Sequence, residues 1–237
     1  MSQATQKRIL LVEDDGSTAL VLSQYLERQG FVVECEADGS AAVGRIIDTQ
    51  PAVVVLEADL PGKDGFAVCR EVRPHYHGPI IMVTRLTNDM DHVLGLEAGA
   101  DDYLPKPADP RVVLAHIKTW LRRADAAADA PGEPVKYRFG QLQIDRSARL
   151  VVLGNEEIPF TTAEFDLLWL FASHAGNILS RKDIMTHLRG VGHHSPNRSI
   201  DMRISRLRKR LGDDTEYPRR IKTIRGQGYL FSPTAWD

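Results

Sequence analysis

The first 123 residues alternate short apolar, β-rich runs with helical patterns, and that alternation leaves few folds open. Strands are expected near 8–13, 32–37, 52–57, 79–84 and 102–106, and helices near 17–29, 40–48, 66–73, 89–97 and 110–123, giving five βα units in succession. The run Ala52-Val53-Val54-Val55-Leu56 is apolar on both faces, as a parallel strand covered by helices on each side must be. An open, doubly wound sheet of five parallel strands follows. In such a sheet the functional crevice lies beyond the carboxyl ends of the strands.

The stretch ADAAADAPGEP, residues 124–134, is small, polar and proline-bearing, with no apolar period to dock it on a core, so it reads as a linker between domains 1–123 and 135–237. Beyond it come short β-like runs over 137–160, helical patterns at 162–174, 180–188 and 198–211, and a hairpin at 221–231 turning through Gly226 and Gly228. Three helices closed by a β-hairpin make an α+β winged helix-turn-helix. Length and composition agree with two globular domains, since 43% of the 237 residues are hydrophobic and 26% charged. No long apolar segment or secretory leader is seen, so no membrane partner and a cytoplasmic location are expected. Cys35 and Cys69, far apart, read as packed thiols.

The net charge of −2 conceals two halves of opposite sign. Residues 1–124 hold 13 Lys and Arg against 18 Asp and Glu, whereas residues 135–237 hold 17 against 11. A basic module of this kind suits a polyanion, because neutralising phosphates releases counterions.

Four strand ends carry polar groups to one edge of the expected sheet: Glu13 and Asp14, then Glu57, Thr84 and Lys106. Clustered carboxylates suit Mg²⁺, and a neighbouring ammonium and hydroxyl suit phosphoryl oxygens. The strings ILLVEDD, LPGKDG, MVT and GADDYLPKP resemble a response-regulator receiver of flavodoxin-like fold over the whole first domain. The resemblance implies that Glu13 and Asp14 form the metal-binding pair, with the carbonyl of Asp59 and the acceptor carboxylate completing the shell. It further implies that Thr84 and Lys106 contact the phosphoryl group and that Tyr103 is the switching aromatic. Counting back from Pro61 and Asp64, however, the position of the phosphoryl-accepting aspartate is Glu57. The extra methylene moves the carboxylate outward by roughly 1.5 Å, and misplacement of about 1 Å costs on the order of 10²-fold in rate. Glu57 is therefore expected to impair phosphotransfer and to mimic part of the phosphorylated state, within reach of Thr84 and Lys106.

In the helix NRSIDMRISRLRKRL, Ile200, Ile204, Leu207 and Leu211 form an apolar stripe while Arg198, Met202, Arg203, Arg206 and Arg210 point elsewhere. TIRGQGY puts Arg225 at a wing tip, where an arginine fits a narrow minor groove beside a helix in the major groove. The second half resembles effector domains of the OmpR/PhoB branch of response regulators. LPGKDG, LRGVG and the ending near TAWD are most similar to its RstA subgroup. By that resemblance Met202, Arg203 and Arg206 face base edges, and Arg198, Thr223 and Arg225 contact backbone or minor groove of double-stranded DNA at tandem half-sites. The resemblance also implies a sensor histidine kinase, RNA polymerase and a receiver homodimer as partners. The dimer face would use Asp101, Asp102, His116, Lys118 and Arg122, with His92, Val112 and His116 standing where that branch has two basic residues and a glutamate. Two rival readings are a phosphate-independent regulator with a scaffold receiver, and a Mg-dependent phosphatase. The latter fails to account for the basic second domain.

Overall fold

The computed structural model describes residues 6–85, 95, 98–125, 135–188 and 197–237. The helix expected over 89–97, with His92, falls almost wholly outside these residues, as do linker residues 126–134 and the pair His193-His194. The chain divides into two compact units, residues 1–121 and 122–237.

In the first unit, β1 (Arg8–Val12), β2 (Val32–Glu36), β3 (Val53–Leu56), β4 (Ile80–Thr84) and β5 (Asp102–Pro105) form one parallel sheet in the order β2-β1-β3-β4-β5. Helices α1 (Gly16–Arg28), α2 (Gly39–Thr49), α3 (Gly65–Val72) and α4 (Pro110–Asp125) follow strands β1, β2, β3 and β5. All four residues of β3 and all five of β4 are buried, as central parallel strands require. The three first helices start where an aspartate can cap them: Asp15, Asp38 and Asp64 each accept N–H bonds from the first turn. Asp15 carries a pKa lowered to about 2 by hydrogen bonds from Ser17 and the Thr18 N–H. Cys69 is buried as expected; Cys35 is exposed, because β2 is the edge strand and one of its faces meets solvent.

The second unit opens with an antiparallel sheet of β6 (Lys136–Phe139), β7 (Leu142–Asp145), β8 (Leu150–Leu153) and β9 (Glu156–Glu157). Three helices follow, α5 (Thr162–Ser173), α6 (Arg181–Leu188) and α7 (Asn197–Arg210). Helix α5 begins in a capping box between Thr161 and Glu164 and is buried nearly all round. The closing hairpin of β11 (Ile221–Ile224) and β12 (Gly228–Phe231) gains a third strand, β10 (Ile178–Leu179), which pairs with β12. Gly228 is held at φ 148°, where a side chain would run into the Leu179 carbonyl, so the β10 junction admits only glycine. Among the described residues no helix is long and apolar enough to cross a membrane.

Candidate functional sites: an acidic crevice and a basic helix with its wing

Strands β1 and β3 are neighbours in register, Val12 beside Leu56, so the residues that follow them, Glu13 and Glu57, emerge side by side. Both carboxylates are 5% exposed. Lys106, following β5, extends between them: its Nζ lies 2.5 Å from Glu13 Oε2 and 2.5 Å from Glu57 Oε2. The remaining oxygens are also occupied. Glu57 Oε1 accepts the N–H groups of Ala58 (2.7 Å) and Asp59 (3.2 Å), and Glu13 Oε1 accepts that of Asp15 (3.3 Å). Burial alone would push the Lys106 pKa down, but the hydrogen bonds and charges of the two glutamates outweigh it and hold the ammonium above the ordinary lysine value. Beside this triad opens a cavity of about 470 Å³ whose walls include Leu22, Val55, Val83 and Val113.

The crevice thus gathers Glu13, Glu57 and Lys106 as expected, with two departures. Asp14 and Asp59 are exposed, whereas Glu13 and Glu57 are buried. Among the described residues no group of three or more His, Cys, Asp or Glu is arranged to hold a metal. In this arrangement the residues do not fit a magnesium ion: the position where two carboxylates converge belongs to an ammonium. Thr84 is fully buried, and its carbonyl accepts the Lys106 N–H at 2.8 Å. The Tyr103 ring packs with Phe66 against the core, and its hydroxyl is buried.

The residues expected on a dimer face divide into two groups. Lys118 and Arg122 are exposed on α4, next to Val112 at 44% exposure. Asp101 is not on the surface: it is 2% exposed and bound to the buried Arg73, Oδ2 to Nη2 2.5 Å. His116, 3% exposed, is likewise turned inward, with Nδ1 2.6 Å from Asp102 Oδ2, which also accepts Trp120 Nε1 at 2.9 Å. Burial would raise the Asp102 pKa; the His116 and Trp120 hydrogen bonds outweigh it and lower it. Asp101 is thus met by Arg73, and Asp102 by His116 and Trp120, all within the unit, which corrects their placement in an intermolecular ion ring.

In the second unit the stripe of α7 is buried as its period predicts, Ile200, Ile204, Leu207 and Leu211 all at 2% exposure or less. Met202, Arg203 and Arg206 flank it and are half-buried. Arg198 belongs to α7, its side chain outside the described part. Arg225 is exposed in the turn between β11 and β12, next to Gly226 at φ 73°.

Four residues of this unit escaped sequence reasoning. Asp201 Oδ1 accepts from Tyr229 Oη at 2.5 Å and from Arg181 Nε at 2.8 Å, so α6, α7 and β12 meet at one carboxylate. Burial, then the Asp201 bond, pushes the Tyr229 pKa up to about 12. Arg208 is 8% exposed and donates Nε and Nη2 to the Ile221 carbonyl (2.9 and 2.7 Å) and Nη2 to Thr223 Oγ1 (2.8 Å). Thr223 therefore anchors the wing to the helix as well as facing solvent. A wheel drawn on α7 holds the signal for Arg208, since 204, 208 and 211 follow i, i+4, i+7.

A parallel sheet with acidic and lysine-bearing strand ends, followed by a basic helix and wing, defines the two-part response regulator. Residues 9–118 match the family described as "Response regulator receiver domain", and residues 155–231 that described as "Transcriptional regulatory protein, C terminal". The chain belongs to the response-regulator family of OmpR/PhoB type. It is 43% identical to "Transcriptional regulatory protein RstA" of Escherichia coli (strain K12) over 97% of this chain and 99% of that protein. Among solved structures, a mutant of RitR superposes with a TM-score of 0.75 at 23% identity, covering 95% of this chain and 99% of that one, a likeness of fold alone. The family is one of transcriptional regulators and not of enzymes.

Proposed function

We infer that this chain is a sequence-specific regulator of transcription that binds double-stranded DNA without depending on phosphotransfer at Glu57. The observation that carries the reading is the closed shell around Glu57: Oε2 on the Lys106 ammonium and Oε1 on two backbone N–H groups. An attacking oxygen must be placed to about 1 Å, and this carboxylate is one methylene too long and is held on an ammonium and two backbone N–H groups. Its donors are of the kind that would otherwise receive phosphoryl oxygens, so Glu57 stands in for part of that group, with less charge. The name of the Escherichia coli relative, a transcriptional regulatory protein, supports the output.

On the DNA, Arg203, Arg206 and Met202 take base edges in the major groove, while Arg198, Thr223 and Arg225 take backbone or minor groove. Copies meet through the α4 surface with Val112, Lys118 and Arg122, placing two effector units on tandem half-sites. The receiver spans 1–123 and the linker 124–134, with the effector from 135 onward. A sensor histidine kinase and RNA polymerase are the partners such a regulator implies, in the cytoplasm. Magnesium is assigned no step.

The test uses full-length protein and selected duplex fragments. Affinity should fall steeply with salt and be unchanged by acetyl phosphate with Mg²⁺, and the intact mass should gain no phosphoryl group. Arg203→Ala should cost about 1–3 kcal/mol and relax preference at one base position. Stoichiometric phosphoryl gain, or affinity insensitive to salt, would sink the reading.

A further inference from the structure

We propose that Lys106 is the resident cation of the acidic crevice, taking the place of a divalent metal, so that this receiver keeps its arrangement without magnesium. The inference rests on the reading of Glu57 as a stand-in for the acceptor carboxylate, and extends it from phosphotransfer to the metal.

Two buried carboxylates on adjacent strands repel one another, and leaving either without a counter-charge is strongly destabilising. Three devices can remove the conflict: a proton on one acid, a divalent ion between them, or an ammonium. The geometry points to the third. Lys106 Nζ sits at equal distance, 2.5 Å, from one oxygen of each acid, and the lysine side chain is only 10% exposed. An ammonium has three N–H groups, and two suffice for this bridge. The outer oxygens are turned to the N–H groups of Asp15, Ala58 and Asp59. All four oxygens of the pair thus have a donor.

Magnesium requires oxygens at about 2.0–2.1 Å in near-octahedral order. An ion drawing on Glu13 Oε2 or Glu57 Oε2 would need an atom that already holds the ammonium, and a divalent ion cannot share that point with Lys106. Asp14 and Asp59 are exposed, unlike Glu13 and Glu57, and neither side chain takes part in the bridge. The extra methylene of Glu57 explains the exchange. An aspartate at 57 would end about 1.5 Å short, loosening the bridge and leaving room for a metal. Loss of the acceptor and loss of the metal are then one consequence of one residue.

The probe is Mn²⁺ alone, followed by water-proton relaxation on the full chain, with Mg²⁺ as competitor and thermal unfolding as second readout. Binding at this crevice is the saturable part removed by Asp14→Asn. Wild type should show none, and its melting temperature should not move with Mg²⁺. Glu57→Asp should acquire such binding at least about tenfold tighter than any seen in wild type. Lys106→Met should melt lower and recover on adding Mg²⁺. Should Lys106→Met fail to fold, Glu57→Asp alone carries the comparison. Saturable, Asp14-dependent Mn²⁺ binding by wild type within about tenfold of Glu57→Asp would overturn the inference, as would the absence of such binding in Glu57→Asp. Failure of the underlying reading looks different: it is phosphoryl gain by wild type in the mass spectrum, whatever the metal result.

Discussion

Asp101→Ala should destabilise the first unit by about 3–5 kcal/mol, whereas Lys118→Ala, on the exposed face of α4, should stay within about 0.5 kcal/mol. Asp101 Oδ2 accepts both Arg73 Nη2 at 2.5 Å and the Ile80 N–H at 2.9 Å. Arg73 spends its other donors on backbone carbonyls, Nε on Gly99 (2.6 Å) and Nη1 on Gly78 (2.7 Å) and Tyr76 (3.2 Å). The pair therefore pins the end of α3 to the starts of β4 and β5. Removing the carboxylate strands a guanidinium that is 6% exposed. Burial acts to lower the Arg73 pKa and the Asp101 charge holds it raised; even without that charge an arginine does not escape by losing its proton. Urea unfolding gives the stability, and sedimentation of the folded protein gives the oligomeric state. A loss below about 1 kcal/mol together with dissociation of a dimer would return Asp101 to an intermolecular role.

What sequence could and could not announce follows from the range of each signal. Strands β1 to β5 declared themselves because apolar runs are local, and observed ends differ from the expected ones by no more than one residue. Strand β10 did not, since two residues carry no period; only pairing with β12 makes Ile178 and Leu179 a strand. Counting from Pro61 and Asp64 located Glu57, and grouping strand ends placed it with Glu13 and Lys106. That grouping knows only where the backbone arrives, so it put the exposed Asp14 on the same footing as the buried Glu13. Asp101 and Asp102 are adjacent and look alike; their separate partners, Arg73 and His116, lie at distances along the chain that no local pattern connects. Likeness to a branch whose dimer face uses ion pairs therefore pointed outward at groups this chain has turned inward.

Arg208 supplies the second large effect, and its direction distinguishes positioning from contact. It lies on the buried side of α7, where it binds the root of the wing through the Ile221 carbonyl and the Thr223 hydroxyl, and its guanidinium carbon stands 5.8 Å from the centre of the Tyr229 ring. Burial pushes its pKa below the ordinary arginine value without discharging it. Arg208→Met keeps much of the stem but leaves the Ile221 carbonyl without this donor pair, a loss of about 1–3 kcal/mol in stability. The wing then loses its registration against the helix, so Arg225 and the α7 residues proposed to face bases should no longer engage one duplex together. Affinity for the selected site should drop by about 10- to 100-fold, since ordering the wing must now be supplied on binding. Because the Arg208 guanidinium is buried on the Ile221 carbonyl and Thr223 hydroxyl, the slope of log affinity against log salt should equal that of wild type, while Arg225→Ala should flatten it by about 0.9 if that residue neutralises one phosphate. Arg208→Lys should not restore binding, since one ammonium cannot reproduce a fork shared between a carbonyl and a hydroxyl. A flattened slope in Arg208→Met would mean that the guanidinium meets the duplex, and the anchoring role would have to be abandoned.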